Sequence, residues 1–422
     1  MFKAINNYTT FTNKGKRNAI FVILLVFFFP AIAVINYSFE VQSGIISKLF
    51  RGFNLLICGL LFVEFFGGAR FKQLISLKIN KDFIFQKVPF LLFFIFWGFY
   101  LFRLYVDLEI NHVINLIDYS NSYYYLFAIG VTIVPMLATL TINEFDFDFF
   151  QFILHRYLVV LNILLLIIFI QGKIINPLPD YRFYVMKNDF YYLNAISIAV
   201  YGSLLIITSF LSKTLKLTNY LLIALGFFIV LTTASRGPIL SIIVALIFYL
   251  LFKEKKLSIK YFYLLIAFSF SILVNYLISI IFKEEYIAGN PIAHRISNIA
   301  EDQSTISRIK IYKDGIQQFL DSPYFGSHFL VIDSSMYAHN LLLDILIATG
   351  VIGLILVLPI FLIFAKKILC SSQHVFLSVI GFYFFLNTLT SGACYNMNEF
   401  WIIFALIMVV SINDKQVNKN TL

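Results

Sequence analysis

Three polar groups, far apart in the chain, carry the chemistry this sequence offers. The first is Ser235-Arg236-Gly237-Pro238, a turn set between two long apolar runs. Proline is tolerated in the first turn of a helix because its missing N–H has no partner there. The free N–H groups of such a helix end attract anions, and the planar fork of Arg236 matches phosphate oxygens. The same residues also fit an interfacial arginine reaching for lipid headgroups. The second group is Arg308 with Tyr312, four residues apart on one helical face. Ile309, Tyr312, Ile316 and Phe319 recur at helical spacing, so a short amphipathic helix is expected in the membrane interface. A solvated basic face is the plainer alternative. That helix is expected to stop at the turn cluster Asp321–Gly326. The third group is Tyr337-Ala338-His339-Asn340, where a long apolar run begins. Asn340 suits a helix N-cap, and Asp344 follows one turn later on the face of Asn340. A histidine titrates near neutrality and can serve as general base or as a positioning group. A lone histidine is more often structural than catalytic; His339 is set apart from the other five by its place at a helix N-terminus on the membrane face shared with the other two groups, whereas His155 stands at a helix start on the opposite face.

Composition dictates what positions these groups. Hydrophobic residues make up 60% of the 422 positions and charged residues 13%, against about 25% charge in soluble domains. A water-facing surface cannot be built from this remainder, so an all-α polytopic membrane protein is expected. The net charge of +10 then reflects lysines and arginines holding loops on the cytoplasmic side rather than nucleic-acid binding. Cys58, Cys370 and Cys394 lie in or beside apolar segments without ligand spacing, which argues against a disulfide framework or a zinc site. No P-loop, dinucleotide fingerprint or Gly-x-Ser-x-Gly elbow appears, and no cofactor or metal is expected.

Twelve spans are expected, at about Ala19–Tyr37, Phe53–Phe66, Val88–Val106, Tyr123–Ile142, Tyr157–Gln171, Phe190–Leu211, Leu217–Thr233, Arg236–Phe252, Tyr261–Phe282, Asn340–Ala365, Val375–Thr390 and Phe400–Ile412. The first lacks a small-x-small cleavage site and reads as a retained signal anchor. Glu64 and Arg103 sit inside apolar runs near span ends, where they are either functional or snorkelling. Gly350 and Gly353 are expected to allow close helix packing. The chain thus divides into spans one to nine (1–282), a long polar loop (283–338), and three last spans with a short tail (339–422). With both termini cytoplasmic, 20 of the 32 lysines and arginines fall inside. The Ser-Arg-Gly turn, the long loop and the His339 helix start then all face the outside. No internal repeat is evident, which weakens a transporter or flippase reading.

Together, Ser235-Arg236-Gly237, the loop with Arg308, Tyr312 and Pro323-x-x-Gly326, and His339-Asn340-x-x-Leu343-Asp344 followed by Thr349-Gly350-x-x-Gly353 resemble the O-antigen polymerase and O-antigen ligase superfamily. The motifs span about Thr232–Leu354. Ala348 departs from the pattern, because relatives often carry a second acid there.

The resemblance implies a metal-independent, GT-C-like membrane glycosyltransferase. It would use a glycan on undecaprenyl diphosphate as donor, a second lipid-linked glycan as acceptor, and a periplasmic site in the bacterial inner membrane. Arg236 and Arg308 would neutralise the diphosphate, and His339 would assist the acceptor hydroxyl. Ser235, Gly237, Tyr312, Tyr337, Asn340 and Asp344 would line the substrate site. Tyr324, Phe325, Phe329 and Tyr337 would stack on sugars or anchor at the interface. Polymerase is expected over ligase, and a chain-length regulator is a further partner that the resemblance brings with it.

Overall fold

A computed structural model of the chain describes residues 13–39, 43–67, 81–113, 120–175, 183–187, 190–212, 217–253, 268, 272, 303–370 and 374–420. The span expected over Tyr261–Phe282, apart from two residues, and the loop from Lys283 to 302 lie outside the described residues.

The described chain is a helical membrane bundle. Its helices are α1 (Asn13–Phe27), α2 (Phe29–Phe39), α3 (Ser43–Phe66), α4 (Lys81–Tyr105), α5 (Asn121–Tyr125), α6 (Val134–Leu140), α7 (Phe147–Ile175), α8 (Ala195–Phe210), α9 (Leu217–Thr232), α10 (Arg236–Phe252), α11 (Gln303–Asp321), α12 (Leu341–Cys370), α13 (Val375–Thr388) and α14 (Asn398–Asn420). Wider π turns extend α4 through Ile110 and link α5 to α6. Five helical stretches are long and apolar enough to cross a membrane, and α1 with α2, bent by 59° beside Pro30, makes a sixth; the other apolar helices are shorter. A bend at proline follows from its missing N–H and its ring clash.

Two helices are buried nearly all round, α8 and the first half of α14, so the others wrap around them. Gly202 of α8 and Gly226 of α9 let the two backbones approach; a Cβ on Gly202 would lie 3.0 Å from the Gly226 carbonyl. The helix expected from Phe190 begins at Ala195 instead. Phe190–Leu193 pairs with Val185–Lys187 as a two-stranded antiparallel hairpin (β2 with β1), and the Asn194 side chain caps α8 by accepting from the Ser197 N–H at 2.8 Å. Three consecutive aromatics favour the pleated conformation, and the cap fixes where the helix starts.

The two ends of the bundle differ. At one end Glu64 of α3 pairs with Lys14 and Arg17, and the Asn18 side chain donates to the Glu144 carbonyl. Glu64 is therefore an ion-pair partner of the basic N-terminal segment. Glu144, in the acidic segment 143–149, lies 4.0 Å from the same Lys14.

The other end is built around a break in α12. Gly350 has φ 64° and ψ −163°, a conformation essentially restricted to glycine. The turn after α11 fills the gap. Val351 N–H donates to the Pro323 carbonyl at 2.8 Å, Ile352 N–H to Tyr324 at 3.2 Å, and Ser327 N–H to Ile347 at 2.8 Å. Backbone groups freed by the break are thus satisfied by another segment, the condition for irregular backbone at membrane depth. Gly350 thus does more than allow close packing: its Cβ position lies 2.3 Å from the Tyr324 carbonyl. Arg103 of α4 holds the same turn, donating to the carbonyls of Ala348, Phe325 and Gly326 at 3.1, 3.2 and 3.2 Å. One turn further, fully buried Asp107 accepts from the Phe329 N–H at 2.7 Å and contacts His328 Nδ1 at 2.8 Å.

Candidate active site

The turn from α9 to α10 places Arg236. Ala234 has a positive φ of 50°, which turns the chain so that Ser235 precedes the first helical residue, Arg236. Ser235 is buried, and its hydroxyl turns back to the Thr233 carbonyl at 3.5 Å. Arg236 is half-buried and donates from Nη2 to the Thr305 hydroxyl of α11 at 2.6 Å. Gly237 faces the connector between α13 and α14. A Cβ there would stand 2.7 Å from Thr390 Oγ1, so only glycine lets α10 sit against that connector without a shift.

On α11, half-buried Arg308 donates from Nη1 to the carbonyl of the same Thr390 at 3.2 Å. Tyr312, one turn on, is also half-buried. Burial raises its hydroxyl pKa, and the Arg308 charge partly opposes that shift.

The third group forms the start of α12. Asn340 Oδ1 accepts from the Leu342 and Leu343 N–H groups at 3.0 and 3.1 Å. It is an N-cap, as its type and place lead one to expect. Its Nδ2 donates to the Leu389 carbonyl at 3.0 Å. His339 sits just before the cap with φ 53°, a conformation uncommon for a residue with a side chain and frequent at functional sites. The Tyr337 ring packs on the His339 ring at 4.2 Å, and His339 Nδ1 is buried without a hydrogen-bond partner. Burial, and then the nearby Arg308 charge, lower the His339 pKa to about 4. The imidazole is therefore neutral at physiological pH and can accept a proton.

The structure brings Arg236, Gly237, Arg308, Tyr312, Tyr337, His339 and Asn340 to one end of the bundle, where Gly237, Arg308 and Asn340 meet the Leu389–Thr390 connector. Asp344 is placed differently. It is fully buried, and its Oδ2 accepts from the Tyr100 hydroxyl at 3.0 Å and from the Cys394 N–H at 2.9 Å. It therefore reaches the far part of the same connector rather than the His339 side. Among the described residues, no group of three histidine, cysteine or carboxylate side chains is arranged to hold a metal ion.

Sequence reasoning singled out neither the connector, nor Tyr100, which bonds Asp344 beside it, nor Asp107, which holds the turn after α11. One signal was present: Ser391-Gly392 lies between two apolar runs, at the outer end that loop charge assigns to Arg236 and His339.

No curated protein matches the chain. Residues 221–358 match the O-antigen ligase family. Arg236, Arg308 and His339 all lie within that match, and this segment supports placing the chain in the O-antigen polymerase and ligase superfamily.

Proposed function

We propose that this protein is a glycosyltransferase that polymerises oligosaccharide repeat units carried on undecaprenyl diphosphate, with its site on the periplasmic side of the inner membrane. Twelve spans with both termini cytoplasmic would give this orientation. The observation that carries the reading is that Arg236 bonds Thr305 of the helix bearing Arg308, while Arg308 and the cap beside the neutral, strained His339 both bond the Leu389–Thr390 connector. In the proposed reaction the acceptor hydroxyl attacks the anomeric carbon of the donor sugar. A new C–O bond forms as the bond from that carbon to the phosphate oxygen breaks. The diphosphate leaves with the electron pair, and the configuration inverts. Arg236 and Arg308 hold the departing anion, since charge developing on it is stabilised by fixed cations. His339 takes the acceptor's proton. An anion bound at Arg308 would also cancel the repulsion that lowers the His339 pKa, making it a stronger base when donor is present.

Asp344, bound to Tyr100 and the Cys394 backbone, acts here by positioning the connector. Arg236 and Arg308 supply the positive charge, so no divalent metal is needed. Purified protein given lipid-linked repeat units should yield a ladder of products in chelator. Activity lost in chelator and restored by magnesium or manganese would overturn this. The match to a family described as O-antigen ligase favours a second reading, transfer of a finished chain to lipid A core. A single transfer to lipid A core without a ladder would establish it. The polymerase is preferred because the family match covers only 221–358, and polymerases are the more divergent group.

A further inference from the structure

The residues of α11 fall into three strips. Ile311, Gly315 and Gln318 face the bundle: Ile311 is 5% exposed, a Cβ on Gly315 would touch Leu343 at 3.2 Å, and Gln318 donates to the Leu330 carbonyl at 3.0 Å. Lys310, Gln317 and Asp321 form a second, exposed polar strip. Opposite the bundle-facing strip and beside the polar one runs a third, Ile306, Ile309, Ile316 and Leu320, exposed at 45, 50, 51 and 60%. A helix on a protein surface in water needs two strips, one apolar and one polar. Three strips suit a helix lying where protein, water and lipid meet.

The apolar strip leads into lipid-facing surface. Beyond Leu320 come Tyr324 and Phe325, exposed at 72 and 60%. The Phe325 ring meets Phe99 of α4 at 6.4 Å, next to Phe102, itself 62% exposed. On its other side the turn is bonded to α12 at the Gly350 break, where the exposed row Val351, Ile355, Leu358 and Leu362 begins. Gly350 lies nine residues into α12, about 14 Å along its axis. Gly315 packs near the start of α12, at Leu343, and Tyr324 packs at Gly350. The segment therefore descends along α12 as it leaves α11.

We propose that the outer strip of α11 and its C-terminal turn are seated in the bilayer. Ile306, Ile309, Ile316, Leu320, Tyr324 and Phe325 contact acyl chains, and Lys313, whose position falls within this strip, reaches back to the headgroups. The occupant is the lipid leaflet itself, because the strip is continuous with the exposed apolar faces of α4 and α12. The consequence is that Arg308, on the adjoining side of α11, is held at headgroup depth. This inference rests only on the chain lying in a membrane and not on the transfer chemistry.

The test uses the full-length protein with Cys370→Ser, leaving only the buried Cys58 and Cys394. A nitroxide is attached at Leu320→Cys or Ile316→Cys in vesicles of phosphatidylethanolamine and phosphatidylglycerol. Leu362→Cys is the lipid reference and Gln317→Cys the water reference. Collision rates with oxygen, which partitions into lipid, and with a nickel chelate, which stays in water, are compared. The oxygen-to-nickel ratio at both test positions should match Leu362 and exceed Gln317 several-fold. A ratio like that of Gln317 would put the strip in water, and shielding from both reagents would mean that protein covers it; either result overturns the proposal. No glycan is used, so a failed polymerase assay leaves this result standing.

Discussion

Arg236 at the start of α10 and Thr305 on α11 are joined at 2.6 Å, which ties the Ser-Arg-Gly turn to the helix that carries Arg308. The bond orients the guanidinium and leaves its other N–H groups to other contacts. Arg236→Lys keeps the charge but loses the fork. A hydrogen bond to a charged group is worth about 1.5–3 kcal/mol, so turnover should fall about 10–100-fold while the protein inserts normally. Thr305→Val should cost far less. Equal rates for Arg236→Lys and the parent would remove Arg236 from the site.

His339 must be neutral to take a proton. Its pKa lies near 4, below the ordinary value, so the neutral form persists on lowering the pH from 7 and is lost only as pH falls through about 4. kcat/KM should therefore stay level down to about pH 5 and drop below it. Arg308→Ala removes the second cause of the lowered pKa, so the acid limb should move toward higher pH as donor binding weakens. His339→Ala should lose about 10²–10⁴-fold in rate while still binding undecaprenyl diphosphate in a thermal-shift assay. Unaltered chain growth in His339→Ala would leave His339 as a helix-end residue.

What the sequence makes legible is local structure. Asn340 reads as a cap from its type and the apolar run behind it, and the amphipathic period of α11 is visible in its own sequence. What was not legible is non-local. The Gly350 break leaves the apolar run unchanged, since its hydrogen bonds are replaced by a turn more than twenty residues upstream. Arg103 looks stranded in an apolar helix, yet its acceptors are carbonyls of residues 325, 326 and 348. Asp344 shares a face with Asn340, but α4 packs there, and Tyr100 takes the carboxylate.

Gly350→Ala tests the broken helix. Alanine strains the backbone by about 1–3 kcal/mol at such φ/ψ, and its Cβ collides with the Tyr324 carbonyl. The melting temperature in detergent should drop by several degrees, and activity should fall with it. Gly353→Ala also disturbs this helix, since a Cβ there would lie 2.4 Å from Thr349 Cβ, which no rotamer change moves. An unchanged melting temperature in Gly350→Ala would mean that the turn does not occupy the break.

Orientation is tested by reporter fusions active only outside the cytoplasm. Fusions after Arg236 and around Arg308 should be active, and fusions after Lys255 and Lys366 silent. Lys253 and Lys367 donate to the carbonyls of Leu369 and Met408, at the end of α12 opposite His339, so the two sets should report opposite sides. An active fusion after Lys366 would reverse the proposed topology.

Asp344 separates a positioning role from a purely structural one. The connector is gripped at Leu389–Thr390 by Asn340 and Arg308, and at Cys394 by Asp344. Both bonds to the carboxylate use the same oxygen, Oδ2. Asp344→Asn can keep an oxygen there and accept from Tyr100 and Cys394 as before. Asp344→Ala leaves two buried donors unpaired, at a cost of about 1–3 kcal/mol each. If the connector forms a wall of the site, Asp344→Ala should lower kcat more than it changes KM for donor, because a shifted Thr390 carbonyl misplaces Arg308. Asp344→Asn should restore most of kcat. Tyr100→Phe removes one donor and keeps the Cys394 bond, so its loss should be smaller than that of Asp344→Ala. A folded Asp344→Ala protein with the parent's kcat would show that the grip on Cys394 does not reach the arginines.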